Sequence, residues 1–102
     1  MADATRRALF HIDHDTRWFP QGLREVVAHA DGRHVTLGVR RKQATSTSFV
    51  LQDFACADHD ACRRAMEGWL ATLATLLNSG EVDPRAEAWA REIAAHVASR
   101  LP

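Results

Sequence analysis

The sequence has little of what marks the common catalytic and membrane-bound classes of protein. Its 102 residues include two cysteines, three prolines and five glycines. It has no phosphate-binding glycine loop, no Gly-x-Ser-x-Gly nucleophile motif and no His-Glu-x-x-His pair. The most apolar run, Trp69 to Leu77, is interrupted by threonines and is much shorter than the roughly 20 residues that span a bilayer. We therefore expect no cofactor and no membrane partner.

A net charge is also lacking. Thirteen basic and thirteen acidic residues cancel when histidine is neutral. This excludes a whole-molecule attraction to nucleic acid or to an acidic membrane, and it leaves little electrostatic protection against self-association. The sequence therefore allows a homodimer.

The polar N-terminal segment lacks the apolar stretch of a signal peptide, so we expect a cytoplasmic protein. In that compartment the two cysteines are expected to be free thiols. The many alanines and arginines suggest a bacterial source with a GC-rich genome.

Enough apolar sequence is present for one folded domain over residues 1–102. The chain is 46% hydrophobic and 25% charged. Val, Phe, Thr and His are frequent before residue 57, and Ala, Leu and Glu after it. This shift predicts an α+β fold. We expect an antiparallel β-meander of three or four strands over about residues 8–55, followed by a helical hairpin of about 58–79 and 84–101 packed on one face.

The segment over residues 20–30 fits either a helix or a strand. Its apolar residues have the i, i+3, i+4, i+7 spacing of a helix: Leu23, Val26, Val27 and Ala30. However, Asp31-Gly32 follows directly, and such a pair between two β-capable runs is typical of a hairpin turn. The hairpin is favoured, with Ala30 opposite Arg33 and Ala28 opposite Val35.

Both helices carry start and stop signals. Asp58 or Asp60 can cap the first helix, Gly80 can end it, and Asp83-Pro84 opens the second. The predicted buried stripe of the first helix is Cys62, Met66, Trp69, Leu70, Leu73, Leu76 and Leu77. That of the second is Ala86, Trp89 or Ala90, Ile93, Val97 and Leu101.

Two Asp-His-Asp segments gather side chains that bind metals and move protons. Asp13-His14-Asp15 follows His11, and Asp58-His59-Asp60 lies between Cys56 and Cys62. A metal- or thiol-dependent enzyme would use His11, Asp13, Cys56 and His59. Simpler interpretations are available: a solvent-facing strand for the first segment, and a capped helix start with a buried Cys62 for the second.

A basic segment contains no acidic residue between Asp31 and Asp53. Its cations are Arg33, Arg40, Arg41 and Lys42. At a hairpin tip they could bind nucleic-acid phosphates, dock an acidic partner, or only protect an edge strand from pairing.

Trp18 and Phe19 precede a proline in a predicted loop, where they either pack under the loop or anchor a partner. No catalytic constellation converges, whereas this loop and the basic segment offer contact surfaces. The leading hypothesis is a small non-enzymatic protein, an accessory subunit, adaptor or inhibitor, that acts through protein–protein contacts. The alternatives are a nucleic-acid-binding protein and the enzyme described above.

Overall fold

A computed structural model describes residues 6–13, 23–41, 49–77, 80 and 83–101. The strands are β1 (Arg6–Asp13), β2 (Leu23–Asp31), β3 (His34–Arg41) and β4 (Val50–Ala55), and the helices are α1 (His59–Leu77) and α2 (Arg85–Ala98). The strands form one antiparallel sheet in the order β1-β2-β3-β4. The predicted α+β fold, a meander followed by a helical hairpin, is therefore confirmed.

The two faces of the sheet have different roles. One face packs under α1 and α2 and supplies the core, with these buried strand residues: Leu9, Val26, Ala28, Ala30, Val35, Leu37, Val39 and Phe54. No described helix covers the other, which we call the open face. Because side chains alternate along each strand, His11, Glu25, Thr36, Arg40 and Asp53 belong to the open face.

The β2–β3 hairpin is present, but its predicted register is wrong by two residues. Asp31 pairs with His34 and Ala30 with Val35, so the two turn residues are Gly32 and Arg33. Gly32 supplies the positive φ of 61° that the turn requires. A shift of two residues is one full side-chain period, so the apolar residues still face the core as predicted.

A β-bulge in β1 interrupts the alternation of side chains between the two faces of the sheet. Simple alternation places Leu9 and His11 on the same face, but the register between β1 and β2 shifts between Ala8 and Phe10. The extra residue lets Leu9 enter the core while His11 stays exposed. Sequence alternation could not show this irregularity.

The helices begin and end close to their predicted positions. Asp58 Oδ1 accepts hydrogen bonds from the N–H groups of Asp60 (3.0 Å) and Ala61 (3.2 Å), so Asp58 caps α1. Gly80 has φ of 80°, and its N–H donates to the carbonyl of Thr75, as at many helix C-termini. Most of the predicted stripes are buried, but Leu76 is exposed.

Each helix lies near one edge of the sheet. The ring of Trp69 on α1 packs edge-on against Phe54 of β4, while His96 on α2 stacks on Phe10 of β1. Beyond α2, Arg100 donates a hydrogen bond of 2.8 Å to the carbonyl of Leu9. None of the helices in the described ranges is both long and apolar enough to cross a membrane.

Candidate functional site

The open face holds a cluster of three charged or ionisable side chains centred on Glu25. Its carboxylate lies 2.6 Å from His11 Nε2 through one oxygen and 2.5 Å from Arg40 Nη2 through the other. Glu25 lies on β2, between the strands that carry its two partners, so the sheet register brings the three together. The side chain of Glu25 is 11% exposed and that of His11 is 59% exposed. The cluster fixes the orientation of an accessible imidazole ring.

Arg40 is held further by an aromatic ring. Its guanidinium lies 5.6 Å from the centroid of Phe49, within the range of a cation–π contact. With Glu25 on one side and Phe49 on the other, Arg40 is neutralised and mostly buried. Glu25 and Phe49 were missed as candidate residues, because only strand register shows that they approach Arg40.

The predicted basic segment is divided by the fold. Arg33 lies in the β2–β3 turn and Arg40 at the other end of β3, which places them about 23 Å apart along the strand. Arg41 ends β3, while Lys42, Trp18 and Phe19 lie outside the described residues. The nucleic-acid hypothesis stays a prediction. Arg40, one of its four cations, is already paired with the carboxylate of Glu25 in the structure.

The edge strand β4 is the second notable feature. Val50 is 42% exposed and Leu51 is 61% exposed, and Phe54 is the only buried residue of the strand. Thr36 Oγ1 donates to the Asp53 carboxylate at 2.6 Å, so the one charge of the strand has a partner within the sheet. The edge strand β4 therefore exposes apolar side chains, and it pairs with β3 in a regular register.

Half of the backbone groups of β4 point away from the sheet. Cys56 N–H donates to the Arg33 carbonyl at 2.7 Å, which continues the register between β3 and β4. Hydrogen-bonded and non-hydrogen-bonded pairs alternate in antiparallel sheets. The backbone groups of Val50, Gln52 and Phe54 therefore bond to β3, and those of Leu51, Asp53 and Ala55 point outward from the edge.

Cys56 and Cys62 are joined by a disulfide, so the expectation of two free thiols is wrong. The capped start of α1 turns the chain back and brings their Cα atoms to 5.1 Å, a separation typical of disulfides. Cys62 is buried, as its place on the α1 stripe predicted. The sequence separation of six residues between the two cysteines does not by itself show that the chain turns back between them.

The acidic residues between the two cysteines are engaged with α1. Asp58 caps the helix, and the Asp60 carboxylate contacts Arg63 at 3.0 Å and Arg64 at 3.4 Å. The hydrogen bond from Arg63, together with the charge of Arg64, holds the pKa of Asp60 below its ordinary value. The second Asp-His-Asp segment is thus a helix start, as its simpler interpretation predicted.

The four residues named for a metal- or thiol-dependent enzyme do not come together. His11 and Asp13 lie on β1, whereas Cys56 and His59 follow β4 at the opposite edge, about three strand spacings or 14 Å away. Within the described ranges, no three His, Cys, Asp or Glu side chains group closely enough to hold a metal ion. The enzyme hypothesis stays a prediction, and its four candidate residues do not form one site in the structure.

Comparisons with known proteins add no identification. No protein-family model, no curated protein and no solved structure matches the chain.

Proposed function

We propose that this protein is a non-enzymatic binding protein that acts through protein–protein contacts, with β4 as its docking edge and a second copy of the chain as the occupant. The observation that carries the proposal is the exposed, regular and apolar edge of β4. Such an edge offers outward-pointing backbone groups to another strand. The Asp53 carbonyl accepts a hydrogen bond of 3.3 Å from the Gln52 side chain, and it would exchange this bond for one to the second copy. The expected product is a dimer in which two four-stranded sheets become one.

The two edges of the sheet differ in the features that discourage pairing. β1 contains a bulge, and its sequence includes Arg6, Arg7 and Asp13. β4 contains no bulge, no proline and no lysine or arginine. Because charges and bulges are the usual protection of an edge strand, β4 is the edge better suited to a partner.

The sequence of β4 fits an antiparallel copy of itself. Backbone groups that point outward can pair Leu51 with Asp53 of the second copy, with Gln52 on the two-fold axis and Val50 facing Phe54 of the second copy. This register would form about four backbone hydrogen bonds. No like charges would face each other in it, and the zero net charge of the chain adds no repulsion.

Charge substitutions at Gln52 test the proposal, because the two-fold axis of the proposed dimer places Gln52 of one copy directly opposite Gln52 of the other. Gln52→Lys and Gln52→Glu are each expected to raise the dimer dissociation constant about tenfold, since like charges directly opposite each other repel. Mixing the two variants should restore a dimer at least as tight as the wild type. Sedimentation equilibrium on the full chain, from micromolar to near-millimolar concentration, measures the three constants.

The matched control is Thr72→Lys, which adds the same charge at an exposed position on α1 and should leave the dissociation constant unchanged. A wild-type protein that stays monomeric at the highest concentration would overturn the proposal. So would a dimer on which both Gln52 variants have no effect, because its interface would then lie elsewhere.

A further inference from the structure

A cavity opens beside the disulfide, at the end of the sheet where α1 begins. Its volume is about 420 Å³, and its lining residues are Gly32, Arg33, Cys56, Ala57, His59 and Leu101. A volume of this size accommodates a small molecule. It contacts neither the Glu25 cluster nor the exposed part of β4, so it is independent of the proposed docking edge.

The two cysteines of the disulfide are both buried, but they lie differently with respect to the cavity. Cys56 lines the cavity and is 7% exposed, whereas Cys62 is 1% exposed beneath α1 and does not line it. Of the two cysteines, Cys56 is therefore the one that an incoming thiol in the cavity would meet first. Cys62 is placed to leave as a thiolate, and later to attack a group carried on Cys56.

Among the described residues that line the cavity, Arg33 is a cation and none is acidic. Arg33 and His59 contribute to its wall, and among the described residues neither forms an ion pair. The nearest acidic side chains on α1 are occupied, because Asp58 caps the helix and Asp60 contacts Arg63 and Arg64. The cavity therefore favours an anionic ligand over a cationic one.

We infer that Cys56–Cys62 is a thiol–disulfide exchange site for a small anionic thiol of the glutathione class, with Cys56 as the exchanging sulfur and Cys62 as the resolving one. The thiolate of the small molecule attacks the Cys56 sulfur and forms a mixed disulfide, while the Cys56–Cys62 bond breaks and Cys62 leaves as a thiolate.

A second small thiolate then attacks the sulfur of its own kind in the mixed disulfide, which releases the small-molecule disulfide and the Cys56 thiolate. Two small thiols are oxidised and one protein disulfide is reduced, so electrons balance. In the reverse direction Cys56 takes up the small molecule from its disulfide, and Cys62 displaces it to close the protein disulfide.

Single cysteine variants test the asymmetry of the two sulfurs. Reduced Cys62→Ala protein treated with glutathione disulfide should gain one glutathione on Cys56, because nothing is left to resolve the adduct. Cys56→Ala protein should react at least tenfold more slowly, because its remaining thiol is buried. Intact-mass spectrometry follows both reactions, circular dichroism verifies that each variant is folded, and peptide mapping locates the adduct. Alanine is chosen because both positions are buried.

A charge variant tests the preference for an anion. Arg33→Ala in the Cys62→Ala background should slow the reaction with glutathione disulfide about fivefold, and much less the reaction with neutral hydroxyethyl disulfide. Arg33→Lys should recover most of the rate. The matched control is Arg91→Ala, which removes an exposed arginine of α2 outside the cavity lining.

Three results would overturn the inference. The first is a Cys56→Ala protein that reacts as fast as Cys62→Ala protein. The second is an equal effect of Arg33→Ala on the anionic and neutral disulfides. The third is a wild-type protein that keeps both cysteines as thiols at every ratio of glutathione disulfide to glutathione.

Discussion

Glu25 is the only charged residue that is buried within the described part of the chain. Two partners make its burial tolerable, because Arg40 and His11 each engage one carboxylate oxygen. In the sequence, strand alternation places Asp13 on the same face as His11, but it gives no indication that Glu25 lies near His11. The hydrogen bond between His11 and Glu25 joins neighbouring strands, through a pairing that sequence spacing does not show.

Substitution of Glu25 by glutamine should destabilise the protein by about 2 kcal/mol, because the mostly buried Arg40 would lose its counter-charge. Urea unfolding followed by circular dichroism measures the change. Glu67→Gln is the matched control, since Glu67 pairs with Arg63 on the helix surface and should contribute less than about 0.5 kcal/mol. Equal effects of the two substitutions would show that the cluster is energetically no different from a surface pair.

At the scale of the elements, the hydrophobic pattern predicted strands and helices well where the period was regular. It succeeded for β3 and for both helices. For β2 the apolar spacing fitted a helix, and the Asp31-Gly32 turn signal favoured the hairpin that the structure contains. It was wrong for the face of Leu9, because a bulge interrupts alternation without any sequence signal of its own. It was also wrong for Leu76, which lies on the predicted stripe of α1 but is exposed.

Two glycines separate the effects of backbone conformation from those of packing. A Cβ added at Gly32 or at Gly68 would meet no atom within 4 Å, so neither substitution causes a clash. Gly68→Ala, in the middle of α1, should stabilise the protein by about 0.5–1 kcal/mol because alanine has the higher helix propensity. Gly32→Ala should destabilise it by about 1 kcal/mol, because alanine is strained at the positive φ of the turn.

Thermal or urea unfolding of the two alanine variants tests this contrast directly. The same sign of change for both would contradict the assigned conformations, since a single substitution type is compared at two exposed positions.

At the scale of the whole molecule, two connections join the helical layer to the sheet. The disulfide links the end of β4 to the first turn of α1, while Arg100 links the end of the helical hairpin to Leu9 on the opposite edge. The helices are thus attached to both edges of the sheet, and neither of the two described helices covers its other face. This arrangement exposes the β4 edge and places the cavity beside Cys56.

Reduction of the disulfide should lower the free energy of unfolding by about 2 kcal/mol, the loop-entropy value for so short a loop. Urea unfolding with and without a reductant measures the change. The double variant Cys56→Ala/Cys62→Ala provides the control, since its stability should not respond to reductant. A wild-type midpoint that is equally insensitive would show that the bond makes no net contribution.

The sequence by itself determined the class of the fold, the strand-rich and helix-rich halves, the capped start of α1 and most of the residues that form the core. These features depend on contacts within a few residues and on the periodic burial of apolar side chains, and both are local properties of a chain. The tertiary structure alone decided the bulge in β1, the partners of Glu25, the joining of Cys56 to Cys62 and the exposure of the β4 edge. Each of these depends on which distant segments become neighbours, and strand register and the direction of a turn set that outcome.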